Sequence, residues 1–212
     1  MSSIASQFAQ QLLEVQCIKL QPTQPFTWAS GWLSPFYCDN RKTLAYPKVR
    51  TFVKEQLAAM IREQYPEATA IAGVATGAIA QGALVADALD LPMCYVHAKA
   101  KDHGMGNLIE GTLPEGAKVV VVEDLISTGG SSLKAVEALR AAGFEILGMV
   151  ASFTYGFPVA EEAFRAANVT LTTLTNYEAV VETARAIGYI EESHLPLLAR
   201  WRANPSTWSP EV

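Results

Sequence analysis

Cysteine is scarce in this sequence of 212 residues, which contains only Cys17, Cys38 and Cys94. The three are odd in number, widely spaced and outside any C-x-x-C pattern, which argues against a disulfide framework and against a zinc site. A chain of this length buries a sizeable core without such cross-links. We therefore expect three buried thiols.

Long apolar runs and strong basic charge are also missing. No apolar stretch approaches the length of a membrane span, and the N-terminal segment MSSIASQFAQQLLEVQ lacks the basic region of a secretory signal. A formal net charge of −5 argues against an extended nucleic-acid-binding surface. We expect a cytoplasmic protein whose partners include neither nucleic acid nor a membrane.

Two common phosphate-binding motifs are absent as well. The chain has no G-x-x-x-x-G-K-[ST] and no G-x-G-x-x-G followed by an acid, so neither a P-loop nor a dinucleotide fingerprint is predicted. It has instead the stretch KVVVVEDLISTGGSS, residues 118–132. Val119 to Val122 form a β-branched run typical of a buried parallel strand, and Glu123 and Asp124 mark its carboxyl end.

The residues after this strand favour an anion site. Ser127 to Gly130 supply hydroxyls, unhindered N–H groups and φ freedom, and a helical pattern begins at Ser131. The first N–H groups of a helix attract a phosphate, and two carboxylates beside it can hold sugar hydroxyls. An ordinary strand–helix turn uses the same residue types. We favour the ligand site, because ligands in open α/β sheets bind at the carboxyl ends of strands.

Strand and helix patterns alternate through the rest of the chain, without repeats. This alternation predicts one α/β domain, residues 1–212, with an open, mostly parallel twisted sheet and helices on both faces. The predicted strands are 68–75, 92–96, 119–122, 146–153 and 169–174. The predicted helices are 4–15 with Ser2 or Ser3 as N-cap, one beginning at Pro47, one from Gly77 to near Asp90, one from Ser131 with Gly143 after its end, and 161–167, 177–187 and 191–201.

The turn after the second predicted strand, Val74-Ala75-Thr76-Gly77-Ala78, has the composition of another strand-end cradle. Its small residues are equally consistent with close packing of a helix on the sheet.

Two segments depart from the alternation. Residues 1–46 form a predicted N-terminal helix and small hood, in which residues 21–46 are rich in proline, aromatic and turn residues. Their aromatic rings fit a stacking platform for a flat heterocycle and fit an aromatic cluster beneath loops equally well. Arg41 is either a solvated charge or a partner for a ligand carboxylate. Residues 97–116 are polar and glycine-rich, and we predict a flexible lid loop there.

Four stretches of the chain together resemble the orotate phosphoribosyltransferase family, and the resemblance covers nearly the whole sequence. They are SGWLSPFYCDNRKTLAYP, GVATGAIAQG, AKAKDHGMGNLIEG and VVVVEDLISTGGSS; the last resembles the phosphoribosyl pyrophosphate signature of type I phosphoribosyltransferases. The resemblance implies the type I fold, Mg²⁺ as cofactor, and transfer of phosphoribosyl from phosphoribosyl pyrophosphate to orotate in pyrimidine biosynthesis. It also implies a homodimer whose lid loop serves the neighbouring subunit's site.

The resemblance further implies roles for particular residues. Glu123 and Asp124 hold the ribose hydroxyls, residues 125–131 cradle the 5′-phosphate, and residues 73–77 line the diphosphate site. The residues expected to bind phosphoribosyl pyrophosphate are Thr76, Gly77, His97, Lys99, Lys101, His103, Glu123, Asp124, Leu125, Ile126, Ser127, Thr128, Gly129, Gly130 and Ser131. Those expected to be catalytic are Lys101, His103 and Asp124, and those expected to contact orotate are Phe36, Tyr37, Arg41 and Ser127. No residue is expected to bind Mg²⁺ directly, since substrate oxygens and water hold it.

The sequence departs from the family pattern at two places. His97 stands where the lid usually begins with Arg, so either Lys99 compensates, His97 is protonated in the complex, or affinity is lower. Phe153-Thr154-Tyr155-Gly156 lacks the Arg that some members place after this strand for the orotate carboxylate. Arg41 becomes the candidate for that contact.

Two other functions would use a similar phosphate site. A binding-only regulator would keep the cradle without needing Lys101 and His103 on a lid, and a basic DNA-binding segment would be expected. A purine phosphoribosyltransferase would change the hood, whereas SGWLSPFYCDN favours orotate.

Overall fold

The computed structural model describes residues 3–28, 31–97 and 108–210. In chain order its elements are α1 (Ile4–Glu14), β1 (Ile18–Leu20), β2 (Phe26–Thr27), β3 (Leu33–Ser34), β4 (Phe36–Cys38), a 3₁₀ helix (Asn40–Ala45), α2 (Pro47–Gln64), β5 (Ala70–Val74), α3 (Ile79–Leu89), β6 (Met93–Val96), β7 (Ile109–Glu110), β8 (Lys118–Ile126), α4 (Gly130–Ala141), β9 (Glu145–Thr154), α5 (Pro158–Ala166), β10 (Leu171–Asn176), α6 (Tyr177–Ala186), a second 3₁₀ helix (Glu192–His194) and α7 (Leu195–Ala203).

The chain forms two compact units. The larger comprises Leu44–Leu174, and the smaller combines Met1–Thr43 with Thr175–Val212.

The larger unit is built on a six-stranded sheet with strand order β10-β9-β8-β5-β6-β7. Strands β5, β6, β8 and β9 pair in parallel, and the short β7 pairs antiparallel with β6. The predicted open, mostly parallel sheet is therefore confirmed. Val119 to Val122 are fully buried in β8, as a central strand covered on both faces requires.

Strand β8 is longer than the sequence predicted. It continues through Ile126, which pairs with Thr154 of β9, so Glu123 and Asp124 lie inside the strand rather than at its end. The prediction of the strand end was wrong because it relied on local propensity, which disfavours acids in strands. The long partner strand β9 extends the pairing beyond the acids.

Helices pack on both faces of this sheet. Ala151 belongs to a core cluster with Val121, Val136 and Phe164, which places α4 and α5 on one face. The next residue of β9, Ser152, donates a 2.9 Å hydrogen bond to Gln81 of α3. Because successive side chains of a strand point to opposite faces, α3 lies on the other face.

Helix ends follow their predicted signals. The Ser3 hydroxyl accepts a hydrogen bond from the Ser6 N–H at 3.2 Å and caps α1. Gly143, one residue beyond the C-cap of α4, has a φ of +87°. That left-handed conformation is the one in which glycine commonly ends a helix.

The smaller unit contains two short antiparallel pairs, β1 with β4 and β2 with β3. Trp201 of α7 is fully buried there, stacked on Phe36 with ring centroids 6.3 Å apart, and its indole N–H donates to the Leu33 carbonyl at 3.2 Å. Strand β1 was not predicted.

All three cysteines are free thiols. Cys17 and Cys94 are buried as predicted, and burial raises the pKa of each to about 11. Cys38 is only half-buried, so the prediction was wrong for that residue. None of the helices in the described ranges is both long and apolar enough to cross a membrane.

Candidate active site

The turn between β8 and α4 forms the centre of the site. Gly129 is the N-cap of α4 with a φ of +80°, and Gly130 begins the helix. No side chain caps this helix end within the described part of the chain. N–H groups at an uncapped helix start can bind an anion, and the anion site expected at this turn stays a prediction.

Glu123 is almost fully buried, at 5% exposure. One carboxylate oxygen accepts a hydrogen bond from the Ser132 hydroxyl at 2.7 Å, and the other accepts one from the Asp124 N–H at 2.9 Å. Burial, reinforced by the charge of Asp124, raises the pKa of Glu123 well above its ordinary value. The hydrogen bond from Ser132 acts in the opposite direction.

Asp124 is half-buried and lies beside the turn that follows β5. A β carbon at Gly77 would overlap the Asp124 carboxylate, so glycine at this position allows the carboxylate to approach the turn without being displaced. Thr76, next to Gly77, is exposed, and the Ala75–Thr76 peptide bond is cis. The two predicted cradles therefore adjoin, since the ends of β5 and β8 meet at one edge of the sheet.

His97 follows β6, whose carboxyl end lies at the same edge because β5 and β6 are parallel. The backbone N–H of His97 donates to the Leu108 carbonyl at 2.8 Å. The His97 imidazole packs edge-on against the Tyr95 ring, with the two ring centroids 5.7 Å apart. Its buried Nε2 has no hydrogen-bond partner among the described residues.

Much of the predicted lid, residues 97–116, lies outside the described residues. Lys99, Lys101 and His103 all lie outside the described residues. Within the described part, β7 occupies Ile109–Glu110 and pairs back on β6.

The predicted orotate contacts in the smaller unit differ in exposure. Phe36 is fully buried, with Tyr177 at 5.2 Å and Trp201 at 6.3 Å between ring centroids. For this residue the structure favours the aromatic cluster over the stacking platform. Tyr37 is half-buried, with the Lys42 ammonium 5.6 Å above its ring.

Arg41 already has an anionic partner. Its guanidinium donates to both carboxylate oxygens of Asp39, at 2.7 and 3.1 Å. This contact lowers the pKa of Asp39. The Arg41 side chain is nevertheless 63% exposed.

The structure adds Ser132, which the sequence prediction left out. Ser132 is 2% exposed and bonds to Glu123 from the first turn of α4. The sequence feature that could have indicated it is a serine in the first turn of a helix, directly after a strand that carries two acids. No cluster of three or more potential metal ligands occurs among the described residues.

Comparison with known proteins places this geometry in a family. Residues 49–186 match the phosphoribosyl transferase domain. The chain is 64% identical over 208 residues to an orotate phosphoribosyltransferase of Bacteroides thetaiotaomicron, covering 98% of each chain. It is 62% identical over 208 residues to one of Bacteroides fragilis, again covering 98% of each. The crystal structure of an orotate phosphoribosyltransferase from Aeropyrum pernix superposes with a TM-score of 0.75 at 27% identity, covering 87% of this chain and 99% of that one.

Proposed function

Since the chain belongs to the phosphoribosyl transferase family, and within it to the orotate phosphoribosyltransferases, we propose that the β8–α4 site transfers the 5-phosphoribosyl group of phosphoribosyl pyrophosphate to orotate. The products are orotidine 5′-monophosphate and diphosphate, in the biosynthesis of pyrimidine nucleotides. One observation carries the assignment to this site. The Asp124 carboxylate lies against Gly77, which brings the proposed ribose and diphosphate subsites within reach of one substrate molecule.

The 5′-phosphate is held at the start of α4. Its charge is balanced by the N–H groups of the first turn and by the positive end of the helix dipole. Ser127, Thr128 and Ser131 add hydroxyl donors around it. The first N–H groups of α4, which have no acceptor within the helix, then donate to the substrate phosphate.

The two acids hold the ribose. A carboxylate accepts about four hydrogen bonds. Among the described residues, Ser132 and the Asp124 N–H donate to the two Glu123 oxygens, and we assign a further acceptor position to a ribose hydroxyl. Asp124 is more accessible and lies at the diphosphate turn. As the bond from C1′ to diphosphate breaks, positive charge develops on the ribose, and the Asp124 carboxylate stabilises it electrostatically.

Departure of diphosphate needs compensating positive charge. Lys101 and His103 supply it from the lid loop, with His97 and Lys99 at the start of that loop, and closure excludes water. Mg²⁺, when bound, neutralises part of the diphosphate charge. Mg²⁺ prefers hard oxygen ligands and keeps several waters, so substrate oxygens and water would hold it without a dedicated cluster of protein ligands.

Orotate is flat and carries a carboxylate. We assign its ring to Tyr37 and Ser127 and its carboxylate to Arg41. The Arg41 side chain is 63% exposed, and a planar guanidinium can bind a carboxylate through two N–H groups at once. We do not assign a ring contact to Phe36, because it is fully buried.

The proposed assembly is a homodimer in which the lid of one subunit serves the site of the other, and the proposed location is the cytoplasm. A reducing compartment is consistent with three free thiols.

The activity is tested by following the ultraviolet absorbance of orotate with purified protein, phosphoribosyl pyrophosphate and Mg²⁺. We expect loss of orotate absorbance that requires phosphoribosyl pyrophosphate, and no reaction when adenine replaces orotate. Consumption of adenine in place of orotate would instead identify a purine enzyme with the same cradle.

A further inference from the structure

We propose that Ser132 is a positioning residue for this reaction, whose hydroxyl holds the Glu123 carboxyl group in a fixed orientation toward the ribose. The inference rests on the proposed function, since it assigns Glu123 to the ribose. It adds a residue that the predicted site did not include and gives that residue a specific task.

The geometry of the contact is that of a strong hydrogen bond. The Ser132 hydroxyl lies 2.7 Å from a Glu123 oxygen, and the two side chains are 2% and 5% exposed. Hydrogen bonds to a carboxylate are shorter and stronger than neutral ones, and water does not compete at such burial. The contact joins β8 to α4 across the phosphate turn, residues 127–129.

Two donors fix the carboxylate from different directions. Ser132 donates from α4 to one oxygen, and the Asp124 N–H donates from β8 to the other. Rotation of the carboxylate would break at least one of these bonds. The remaining acceptor directions are therefore set by the protein before the substrate binds, which reduces the reorganisation needed on binding.

The hydrogen bond from Ser132 also favours the ionised form of the Glu123 carboxyl group, whereas the burial of that group disfavours it. The side chain of Glu123 is buried, and Asp124 on the same strand adds a like charge. Neither neighbouring strand places a cation opposite Glu123. Glu123 pairs with Ala151 on β9, and the residue before it, Val122, pairs with Gly73 on β5. A protonated carboxyl would lose acceptor capacity toward the ribose hydroxyls.

A purely structural role for Ser132 is the competing explanation, because the same bond ties α4 to the sheet. Ser152 provides a matched control. It is fully buried on β9 and donates a 2.9 Å hydrogen bond to the Gln81 side chain. Ser152→Ala removes a buried serine hydrogen bond of the same kind without touching either acid.

The experiment compares wild type, Ser132→Ala, Ser132→Thr and Ser152→Ala by thermal melting and by the pH profile of kcat/KM for phosphoribosyl pyrophosphate. We expect Ser132→Ala to raise that KM about tenfold at pH 7, from loss of a hydrogen bond to a charged group, with little change in the KM of orotate. The acidic limb of the kcat/KM profile of Ser132→Ala should shift to higher pH, so that the difference in kcat/KM between this variant and wild type narrows by pH 9. Ser132→Thr keeps the hydroxyl and should retain the wild-type profile.

Ser152→Ala should lower the melting temperature and leave the pH profile superimposable on wild type. The proposal is overturned if Ser132→Ala behaves in the same way, or if its kinetics match wild type. Should Ser132→Ala not fold, Ser132→Cys, a weaker donor of similar size, decides the question by the same pH profile. An inactive wild-type protein would refute the proposed function instead, so the two failures are distinguishable.

Discussion

Gly129 ends the phosphate turn and the adjacent Gly130 begins α4, yet alanine at each position should have opposite effects on stability. Gly129 has a φ of +80°, and a β carbon there would lie 2.7 Å from the ring of Phe164. The left-handed backbone costs an L-residue about 1–2 kcal/mol. Phe164 is 3% exposed and packed in the core, so relieving the overlap costs about 1–3 kcal/mol more.

The sum predicts that Gly129→Ala lowers the free energy of unfolding by about 2–5 kcal/mol, or the melting temperature by roughly 4–20 °C for a chain of this size. Gly130 differs because, among the described residues outside its chain neighbours and the backbone of its own helix, no heavy atom lies within 4 Å of the position that an alanine methyl group would take. Its φ is also outside the left-handed region. Gly130→Ala should be neutral or stabilise by about 0.4–1 kcal/mol through the unfolded state. If the phosphate binds over the start of α4 as proposed, the added methyl group should crowd it and raise the KM of phosphoribosyl pyrophosphate.

The assay is thermal unfolding by circular dichroism together with steady-state kinetics at varied phosphoribosyl pyrophosphate. An unchanged melting temperature in Gly129→Ala would refute the packing argument. A wild-type KM in Gly130→Ala would mean that the phosphate does not lie over the start of α4.

Asp124→Asn should lower turnover about 100-fold or more while its melting temperature changes little; near-normal activity with a collapsed melting temperature would make the acid structural. Arg41→Ala should raise the KM of orotate by a factor corresponding to about 2 kcal/mol, and a rise for phosphoribosyl pyrophosphate instead would move Arg41 to the diphosphate side. Because burial raises the pKa of Glu123, the folded chain retains a proton that the unfolded chain releases, and wild-type stability falls as pH rises from the ordinary Glu pKa through the raised value. The melting temperature of Glu123→Gln relative to that of wild type should therefore rise between pH 4 and pH 9. A difference in melting temperature that does not change with pH would contradict the raised pKa. Lys101→Ala and Asp124→Asn subunits, refolded together, should recover roughly a quarter of wild-type activity, since about half the dimers are mixed and each has one complete site; no recovery despite confirmed mixed dimers would show that Lys101 serves its own subunit.

The sheet and the phosphate turn could be predicted from sequence because their signals are local. The β-branched run Val119 to Val122 and the glycines that follow it specify a buried strand and a turn by their own chemistry. The same is true of Ser3 and Gly143 at helix ends, where one residue satisfies or ends the backbone pattern.

Features that depend on distant partners could not be predicted. Strand β1 is three residues long and is defined by its pairing with β4. Phe36 is buried by Tyr177 and Trp201, which come from the C-terminal segment of the chain. The approach of Ser132 to Glu123 likewise requires α4 to be packed on β8, and no local pattern encodes that distance.

The central claim is tested most directly by quantifying all reaction products in one tube. Orotate, phosphoribosyl pyrophosphate and Mg²⁺ are incubated with the protein, and orotidine 5′-monophosphate, diphosphate and remaining orotate are measured by chromatography over time. We predict that one orotidine 5′-monophosphate and one diphosphate form for each orotate lost. Release of diphosphate without formation of the nucleotide would contradict the account.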